Sequence, residues 1–242
     1  MGSVIPLKKE IDNSYLRLKN LVGDKLENVT HRIKFKLASE INLIHKMTDY
    51  HVKSGGKRIR PLLTLASSKL CGYKDGDRDV NLAACIELIH NATLLHDDVI
   101  DNSNLRRGIE TANSLWGNQS SILVGDYLFS RCFEMMVEDG SPEILKLLSS
   151  TSSRIAQGEV LQLEHKGEID LLEETYFNII NMKTAALFAA AARVGACLAD
   201  KSKKEKDALE SYGRNLGMAF QIADDALDYF STKNVFGKEI GK

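Results

Sequence analysis

Apolar residues recur at helical spacing along nearly the whole chain. One such series is Ile33, Leu37, Ile41 and Ile44, whose members are three or four residues apart and would share one face of an α-helix. Strict alternation of apolar and polar residues, which is typical of a half-buried strand, is absent over any useful length. The pattern therefore predicts an all-α protein.

Two segments, residues 82–100 and 174–199, are apolar on most helical faces. A helix with apolar residues all round is usually enclosed by other helices. Glycine and capping residues mark the breaks: Gly140 would end one helix, Ser141 would cap the next, and Pro142 would be its first residue. These features predict a bundle with interior helices and a cavity or site between them.

The composition is that of an ordinary globular protein, with 43% hydrophobic and 27% charged residues. No linker divides the chain, so we expect a single domain over residues 1–242. The net charge of −1 favours neither nucleic acid nor an anionic membrane as a partner.

Cysteine usage and hydropathy bear on the compartment. The 4 cysteines are scattered without a C-x-x-C motif, which favours free thiols in a reducing compartment. The first residues, MGSVIPLKKEID, lack the apolar core of a signal peptide. The most apolar segment, residues 184–199, is too short for a membrane span and contains Arg193. The sequence therefore predicts a cytoplasmic protein that does not span a membrane.

Two clusters with the same D-D-x-x-D spacing stand out against these apolar segments. Their members are Asp97, Asp98 and Asp101 in the first, and Asp224, Asp225 and Asp228 in the second. On a helix, residues four apart face the same way and lie about 6 Å apart along the axis. Two carboxylates at that distance repel by about 3 kcal/mol at an effective dielectric constant near 20. Basic partners, raised pKa values or a divalent metal ion must offset this repulsion.

Oxygen ligands on a rigid helix suit Mg²⁺, which usually binds one or two carboxylates and completes its coordination with water and phosphate. Either cluster alone could equally be an acidic helix surface. Both, however, interrupt apolar stretches and share one spacing. We therefore favour a site in which two helices bind a diphosphate through Mg²⁺.

Basic residues that could contact a diphosphate directly occur in two stretches. In S-G-G-K-R-I-R-P (54–61), the glycines allow close approach of an anion, and Lys57, Arg58 and Arg60 lie near a helix start, where N–H groups favour negative charge. Arg106 and Arg107 follow the first cluster. Adjacent arginines point in different directions, so they could bind two anions, or one could pair with an aspartate.

Other polar residues lie near the clusters along the helices. His90 precedes Asp97 by two turns, and it could be either a core histidine or a ligand. Lys183 and Thr184 begin the second apolar segment. Gln221 lies about one turn before Asp224.

These motifs together carry a family resemblance. The ordered set GGKRIRP, HNATLLHDDVIDNSNLRRG, GNQSSILVGDYLFSR, GEVLQL, KTAALF and GMAFQIADDALDY closely resembles class I trans-isoprenyl (polyprenyl) diphosphate synthases of the bacterial octaprenyl type. The resemblance runs from about residue 8 to the last residue. It implies an isoprenoid synthase-type helical bundle around a central cavity, with both aspartate helices facing that cavity.

The resemblance also implies a role for each matching residue. The Mg²⁺ ligands would be Asp97, Asp101 and Asp224. The supporting carboxylates would be Asp98, Asp225 and Asp228. Isopentenyl diphosphate would be bound by Lys57, Arg60, His90 and Arg107. The allylic diphosphate would be bound by Arg106, Lys183, Thr184, Gln221 and Lys238, with Lys183 also in the catalytic set.

The implied reaction is a condensation of isopentenyl diphosphate with an allylic diphosphate. In this family the residues four and five before the first aspartate often limit product length, and here they are the small Thr93 and Ala92. A long all-trans polyprenyl diphosphate is therefore expected, with a quinone side chain as its destination by analogy. The resemblance also implies a homodimer, for which the segment 119–137 offers a possible face.

The motifs leave three alternatives to a long-chain synthase. A shorter-chain farnesyl or geranylgeranyl diphosphate synthase would share every motif. A non-catalytic subunit of a heteromeric synthase typically lacks one aspartate cluster, whereas both are present here. A class I terpene cyclase should lack the basic site of a second substrate, yet GGKRIRP is present. The family usually continues with a G-K-x-T-x-P stretch and further helices, so we expect residues 1–242 to lack those C-terminal helices.

Overall fold

The computed structural model describes residues 7–53, 55–74 and 76–230, and these form helices joined by short connections. The first helices are α1 (Leu7–Val22), α2 (Lys25–Lys36), α3 (Asn42–Lys53), α4 (Ile59–Leu70) and α5 (Arg78–Ile100). They are followed by α6 (Ala112–Trp116), α7 (Asn118–Asp139), α8 (Pro142–Glu164) and α9 (Glu173–Ile180). A π-helical segment (Asn181–Ala185) then leads into α10 (Ala186–Leu198), and α11 (Lys203–Phe230) comes last. The predicted all-α class is confirmed.

Helices α5 and α10 form the centre of the bundle. α5 packs against α2, α4 and α7, while α10 packs against α4, α8 and α11. Every residue of α10 except Arg193 is buried, and so is the stretch of α5 from Leu82 to Ile89. The segment 82–100 is therefore an interior helix over most of its length. The prediction for 174–199 was only partly right: the segment is divided into α9, the π-helical segment and α10, and only α10 is interior almost throughout, whereas Glu174, Phe177 and Asn178 of α9 are exposed.

Glycines allow α10 to lie close to both of its large neighbours. A Cβ atom on Gly195 of α10 would lie 2.4 Å from the backbone nitrogen of Ser68 in α4. A Cβ atom on Gly217 of α11 would lie 2.6 Å from the Cα of Ala185. Real Cβ atoms do not approach so closely, so only glycine permits these contacts. The close packing brings α11 against the π-helical segment.

The predicted helix break near residue 140 is confirmed in detail. Gly140 has a φ of 74°, the left-handed conformation that commonly ends a helix. The Ser141 hydroxyl accepts a hydrogen bond from the Ile144 N–H at 3.3 Å, and Pro142 is the first residue of α8.

A short hairpin that the periodicity did not predict follows α5. Strands β1 (Leu105–Arg106) and β2 (Ile109–Glu110) pair in antiparallel fashion. The turn residues Arg107 and Gly108 have φ values of 54° and 79°, as in the type I′ turns that favour two-residue hairpins. Two-residue strands are too short for an alternating pattern, and their function is to position the arginine pair.

The cysteines of the chain form no disulfide bond: Cys71, Cys85, Cys132 and Cys197 are free thiols. Within the described ranges, no helix combines the length and hydropathy needed to cross a membrane.

Candidate active site

Both aspartate clusters lie at the C-terminal ends of their helices. Asp97 and Asp98 are in the last turn of α5, and Asp101 directly follows it. The second cluster occupies the last turns of α11, which ends at Phe230. Unpaired carbonyl groups give this end of a helix a partial negative charge, so carboxylates are unfavourable there. The clusters therefore need positive charge from elsewhere in the fold.

Asp98 obtains this charge from the hairpin. Its side chain is buried, and its Oδ1 accepts hydrogen bonds from Arg106 Nε and Nη2 at 2.9 and 2.7 Å. Asn113 holds the adjacent backbone, since its Nδ2 donates to the Asp98 carbonyl at 3.3 Å. Of the two arrangements considered for the arginine pair, Arg106 thus adopts the pairing with an aspartate.

Asp97 is only partly compensated. Burial, with smaller contributions from Glu159 and Asp101, raises the pKa of this carboxyl to about 7 against the opposing effects of Lys183 and Arg106. Lys183 Nζ lies 3.9 Å from Asp97 Oδ2 but 2.6 Å from Glu159 Oε2. It also donates to Gln162 Oε1 at 3.1 Å. The charged form of Asp97 is therefore disfavoured in the ligand-free protein.

A chain of hydrogen bonds organises the second cluster. Thr184 Oγ1 donates to Gln221 Oε1 at 2.8 Å, and Gln221 Nε2 donates to Asp225 Oδ1 at 2.8 Å. Asp225 Oδ2 accepts a third bond, from the Tyr176 hydroxyl at 2.6 Å. Both carboxylate oxygens of Asp225 are thus fixed by donors on α9 and α11.

The π-helical segment connects the two clusters. Its neighbouring residues Lys183 and Thr184 contact different partners: Lys183 lies against Asp97, and Thr184 bonds to Gln221. Such segments inside α-helices frequently occur at functional sites. The widened turn therefore carries one residue toward each aspartate helix.

The glycine-rich loop before α4 packs against the hairpin turn. A Cβ atom on Gly56 would lie 2.7 Å from Arg107 Nη1, so the Arg107 guanidinium occupies space that only glycine leaves open. Arg107 Nη1 also donates to the Gly55 carbonyl. The two basic stretches, which are 50 residues apart in sequence, therefore form one cationic surface.

Arg60 is the most deeply placed cation of this surface. Its Nε is buried without a hydrogen-bond partner, and its guanidinium carbon lies 4.5 Å from the centre of the Phe188 ring. Burial, with a smaller contribution from Arg107, lowers the pKa of Arg60 to about 10, so the group stays charged at neutral pH. A buried cation with an unused donor is suited to an anionic ligand.

A water-sized cavity of about 20 Å³ lies within the cationic surface. Its walls include His51, Gly55, Arg58, Glu87, His90, Asn91, Leu94, Arg106 and Arg107. Burial lowers the pKa of His51 to about 4 and that of His90 well below its usual value, and nearby arginines add to both shifts. Both imidazoles are therefore neutral at pH 7. Glu87 lies 3.4 Å from Arg58 and supplies the opposing charge.

The remaining predicted residues are placed as follows. Lys57 is exposed, and its carbonyl accepts a bond from the Tyr15 hydroxyl at 2.8 Å. Arg58 precedes α4 directly and does not face solvent, because it pairs with Glu87. Lys238 lies outside the described residues. Asp224 and Asp228 are partly buried on α11.

Four residues of the site were not identified from the sequence: His51, Glu87, Glu159 and Tyr176. His51 lies just before the S-G-G-K stretch, and Glu159 lies in GEVLQL, so motif position offered a signal for both. Glu87 and Tyr176 show no signal, because each acts through a partner distant in sequence.

The carboxylates fit a divalent metal ion that is shared with a ligand. Among the described residues, no three His, Cys, Asp or Glu side chains converge into a ready metal cage. Mg²⁺ does not require one, since one or two carboxylates suffice when phosphate and water complete the shell. Because burial disfavours the charged form of Asp97, a bound cation would stabilise its carboxylate.

Comparison with known proteins is consistent with this site. The family model described as Polyprenyl synthetase matches residues 41–242. Octaprenyl diphosphate synthase from Escherichia coli is 44% identical over 225 residues, which cover 93% of this chain and 69% of that protein. The octaprenyl diphosphate synthase from Haemophilus influenzae is 37% identical, over 97% of this chain and 71% of that protein.

Solved structures of related synthases also match this chain. A polyprenyl synthase from Caulobacter crescentus, complexed with calcium and isoprenyl diphosphate, matches with a TM-score of 0.90 and 45% identity over 94% of this chain and 69% of that one. A decaprenyl diphosphate synthase from Rhodobacter capsulatus matches with a TM-score of 0.86 and 44% identity over the same shares.

The helical bundle, the two aspartate clusters and the cationic surface occur together in a chain that matches this family over most of its length. Enzymes of the family use isopentenyl and allylic diphosphates and generally depend on a divalent metal ion. This chain therefore belongs to the polyprenyl synthetase family and is a trans-prenyltransferase with the isoprenoid synthase fold.

Proposed function

We propose that this enzyme condenses isopentenyl diphosphate with an allylic diphosphate in a Mg²⁺-dependent reaction and extends the product to a long all-trans polyprenyl diphosphate. The observation that carries the proposal is the π-helical segment, from which Lys183 and Thr184 reach the two aspartate helices. A single diphosphate placed beside this segment would be near both clusters.

The allylic diphosphate binds between the two clusters in this proposal. Asp97, Asp101 and Asp224 would hold Mg²⁺, which neutralises charge on the departing diphosphate. Lys183, Thr184 and Gln221 line the same place. Lys183 would exchange its bond to Glu159 for one to phosphate, and Gln221 would donate its second Nε2 hydrogen, while the Thr184 hydroxyl keeps Gln221 oriented. Arg106 and Lys238 complete this set by resemblance.

Isopentenyl diphosphate binds the cationic surface. Arg60 offers its unpartnered Nε, and Arg107 offers its guanidinium from the hairpin turn. Lys57 contributes a charge from the exposed rim, and His90, which is neutral, can donate one N–H. The two diphosphates would then bind at neighbouring sites, with their hydrocarbon parts toward each other.

The reaction needs no protein nucleophile. The allylic C–O bond breaks, and the electron pair leaves with the diphosphate, whose growing charge Lys183 would stabilise. The double bond of isopentenyl diphosphate then attacks the allylic cation. A proton is lost from the adjacent carbon, and the released diphosphate accepts it. The buried α5 and α10 surfaces keep water from trapping the cation.

Product length depends on the space beside α5. Ala92 is fully buried and Thr93 is partly buried, with its hydroxyl bonded to the His90 carbonyl of its own helix. Neither side chain is large enough to close a hydrocarbon path. The relatives themselves range from a short-chain synthase to octaprenyl and nonaprenyl synthases, so the family alone leaves the length open.

A substitution tests this length assignment. We expect Thr93→Phe to shorten the product by several isoprene units, because a phenyl ring would fill the path beside the growing chain. Thr93→Ser is the matched control and should leave the product length unchanged. An unchanged product in Thr93→Phe would show that other residues set the length.

We also propose that residues 1–242 belong to one domain, in a cytoplasmic homodimer that serves quinone synthesis. Free cysteines and exposed apolar residues of α7, namely Ile122, Leu123, Phe133 and Val137, favour the compartment and the dimer respectively. One relative is named heptaprenyl diphosphate synthase component 2, which favours a second candidate, a subunit that requires a partner chain.

The direct test incubates the purified chain with radiolabelled isopentenyl diphosphate, farnesyl diphosphate and Mg²⁺, and then sizes the products. A ladder that ends near eight isoprene units, or at another long product, is expected. Asp224→Asn should abolish incorporation, whereas Asp77→Asn, at the opposite end of α5 from Asp97, should not. Because the primer is farnesyl diphosphate, incorporation that stops after one added unit, at geranylgeranyl length, would favour the short-chain alternative. No incorporation at all would favour the requirement for a partner chain.

A further inference from the structure

We propose that Tyr176 of α9 is a positioning residue for the second aspartate cluster, acting through Asp225. This inference rests on the proposed function, in which α11 presents that cluster to the allylic diphosphate. It concerns a residue that contacts a carboxylate of the cluster and lies 49 positions from this partner in sequence.

Each carboxylate oxygen of Asp225 accepts a hydrogen bond from a different side chain. Tyr176 donates to Oδ2 at 2.6 Å, and Gln221 donates to Oδ1 at 2.8 Å. Gln221 is itself oriented, because its Oε1 accepts from Thr184 at 2.8 Å. The chain of bonds therefore runs from the π-helical segment through α11 to α9, where Tyr176 is the donor to Asp225.

Fixing Asp225 in this way orients its neighbours. Hydrogen bonds to an ionised acceptor are about twice as strong as neutral ones, so two of them hold the carboxylate in one rotamer. Successive residues on a helix differ by about 100° in direction. With Asp225 turned toward α9, Asp224 must point to a different side of α11. The Tyr176 hydroxyl thus sets the rotation of the last turns of this helix.

The position suits a tyrosine specifically. The side chain must extend from α9 to α11 and end in a donor, while its ring packs at 5.5 Å from the ring of Phe177. Phenylalanine keeps the ring and its packing but cannot donate. Tyr176→Phe therefore removes the hydrogen bond to Asp225 and keeps the ring contact with Phe177.

The experiment compares the wild type, Tyr176→Phe and Tyr127→Phe. Tyr127 is the matched control, because its hydroxyl donates to the backbone carbonyl of Ala38 at 3.4 Å, on another side of the bundle. We expect Tyr176→Phe to raise the KM for the allylic diphosphate about tenfold, the factor that corresponds to one lost hydrogen bond to a charged acceptor. The KM for isopentenyl diphosphate should change less than about twofold, and Tyr127→Phe should change neither.

A second readout does not depend on turnover. Calorimetric titration with Mg²⁺ and inorganic diphosphate should show about tenfold weaker binding to Tyr176→Phe than to the wild type. In an Asp225→Asn background, the same substitution should have a smaller effect, because a neutral amide oxygen accepts a weaker hydrogen bond than a carboxylate does. A purely structural residue would not show this coupling.

The outcomes separate the two proposals. Equal changes in both KM values, unaltered diphosphate binding, or additive effects with Asp225→Asn would overturn the assignment of Tyr176. If the wild type converts no substrate but binds diphosphate, the proposed function fails, while the titration still decides the role of Tyr176. A wild type that binds no diphosphate with Mg²⁺ would overturn both.

Discussion

Substituting Asp97 by asparagine should stabilise the ligand-free protein at neutral and alkaline pH while abolishing catalysis. In the fold, burial raises the pKa of Asp97 from 3.8 to about 7, and Glu159 and Asp101 add to the shift. Asparagine has nearly the same shape and cannot ionise. The substitution therefore removes a buried charge without opening a cavity.

The sign and size follow from proton linkage. A carboxyl whose folded pKa is raised contributes stability below pH 3.8, and this contribution is lost as the pH rises through about 7. At about 1.4 kcal/mol per pKa unit, the shift corresponds to a ceiling of about 4 kcal/mol at pH 8. Since Lys183 already lies closer to Glu159 than to Asp97, the variant loses little favourable pairing. We expect a gain of at least about 2 kcal/mol at pH 8.

Urea unfolding measured at several pH values, without metal ions or substrate, provides the assay. The difference between Asp97→Asn and the wild type should grow from near zero at pH 4 to its full value at pH 8. Asp77→Asn, at the start of the same helix and exposed, should show no such trend. An Asp97→Asn protein that is less stable than the wild type at pH 8 would refute the reasoning.

Two further predictions concern the frame around the site. Gly217→Ala should destabilise the protein by about 1–3 kcal/mol in urea unfolding, because its Cβ would lie 2.6 Å from the Ala185 Cα. Ala219→Ser, at an exposed position of the same helix, is the control. An equal effect of both substitutions would contradict the close-packing argument. His51 has a folded pKa of about 4 against 6.5 when unfolded, so stability should fall by up to about 3 kcal/mol as the pH drops through this interval. His51→Gln should reduce that dependence, and an identical pH profile would show that His51 is not buried in its neutral form.

The fold and the acidic clusters were accessible from the sequence because they depend on local pattern. Helical periodicity predicted interior helices at 82–100 and 174–199, and capping residues predicted the break at Ser141–Pro142. The π-helical segment was not predicted, because a helix that is apolar on most faces gives no signal when its period widens. The hairpin escaped for a related reason, since two-residue strands show no alternation.

The site was predictable only as a set of residue types. Spacing identified the aspartates and basic stretches. It did not indicate that Asp98 would pair with Arg106, or that burial would raise the pKa of Asp97. Those differences arise from tertiary contacts that bring the hairpin, α8 and the π-helical segment to the end of α5. The contact of Tyr176 with Asp225 is also a tertiary one, since nothing near Tyr176 in sequence indicates that it reaches α11.

The central claim is that carboxylates on two helices bind one diphosphate through a divalent metal ion. The most direct measurement is calorimetric binding of an unreactive allylic thiolodiphosphate to the wild type, Asp97→Asn and Asp224→Asn, with Mg²⁺ and with a chelator. We predict tight binding to the wild type only when Mg²⁺ is present, and a loss of at least about tenfold in each variant, as for one charge-assisted contact. Equally tight binding with the chelator, or binding that either variant retains in full, would contradict the account.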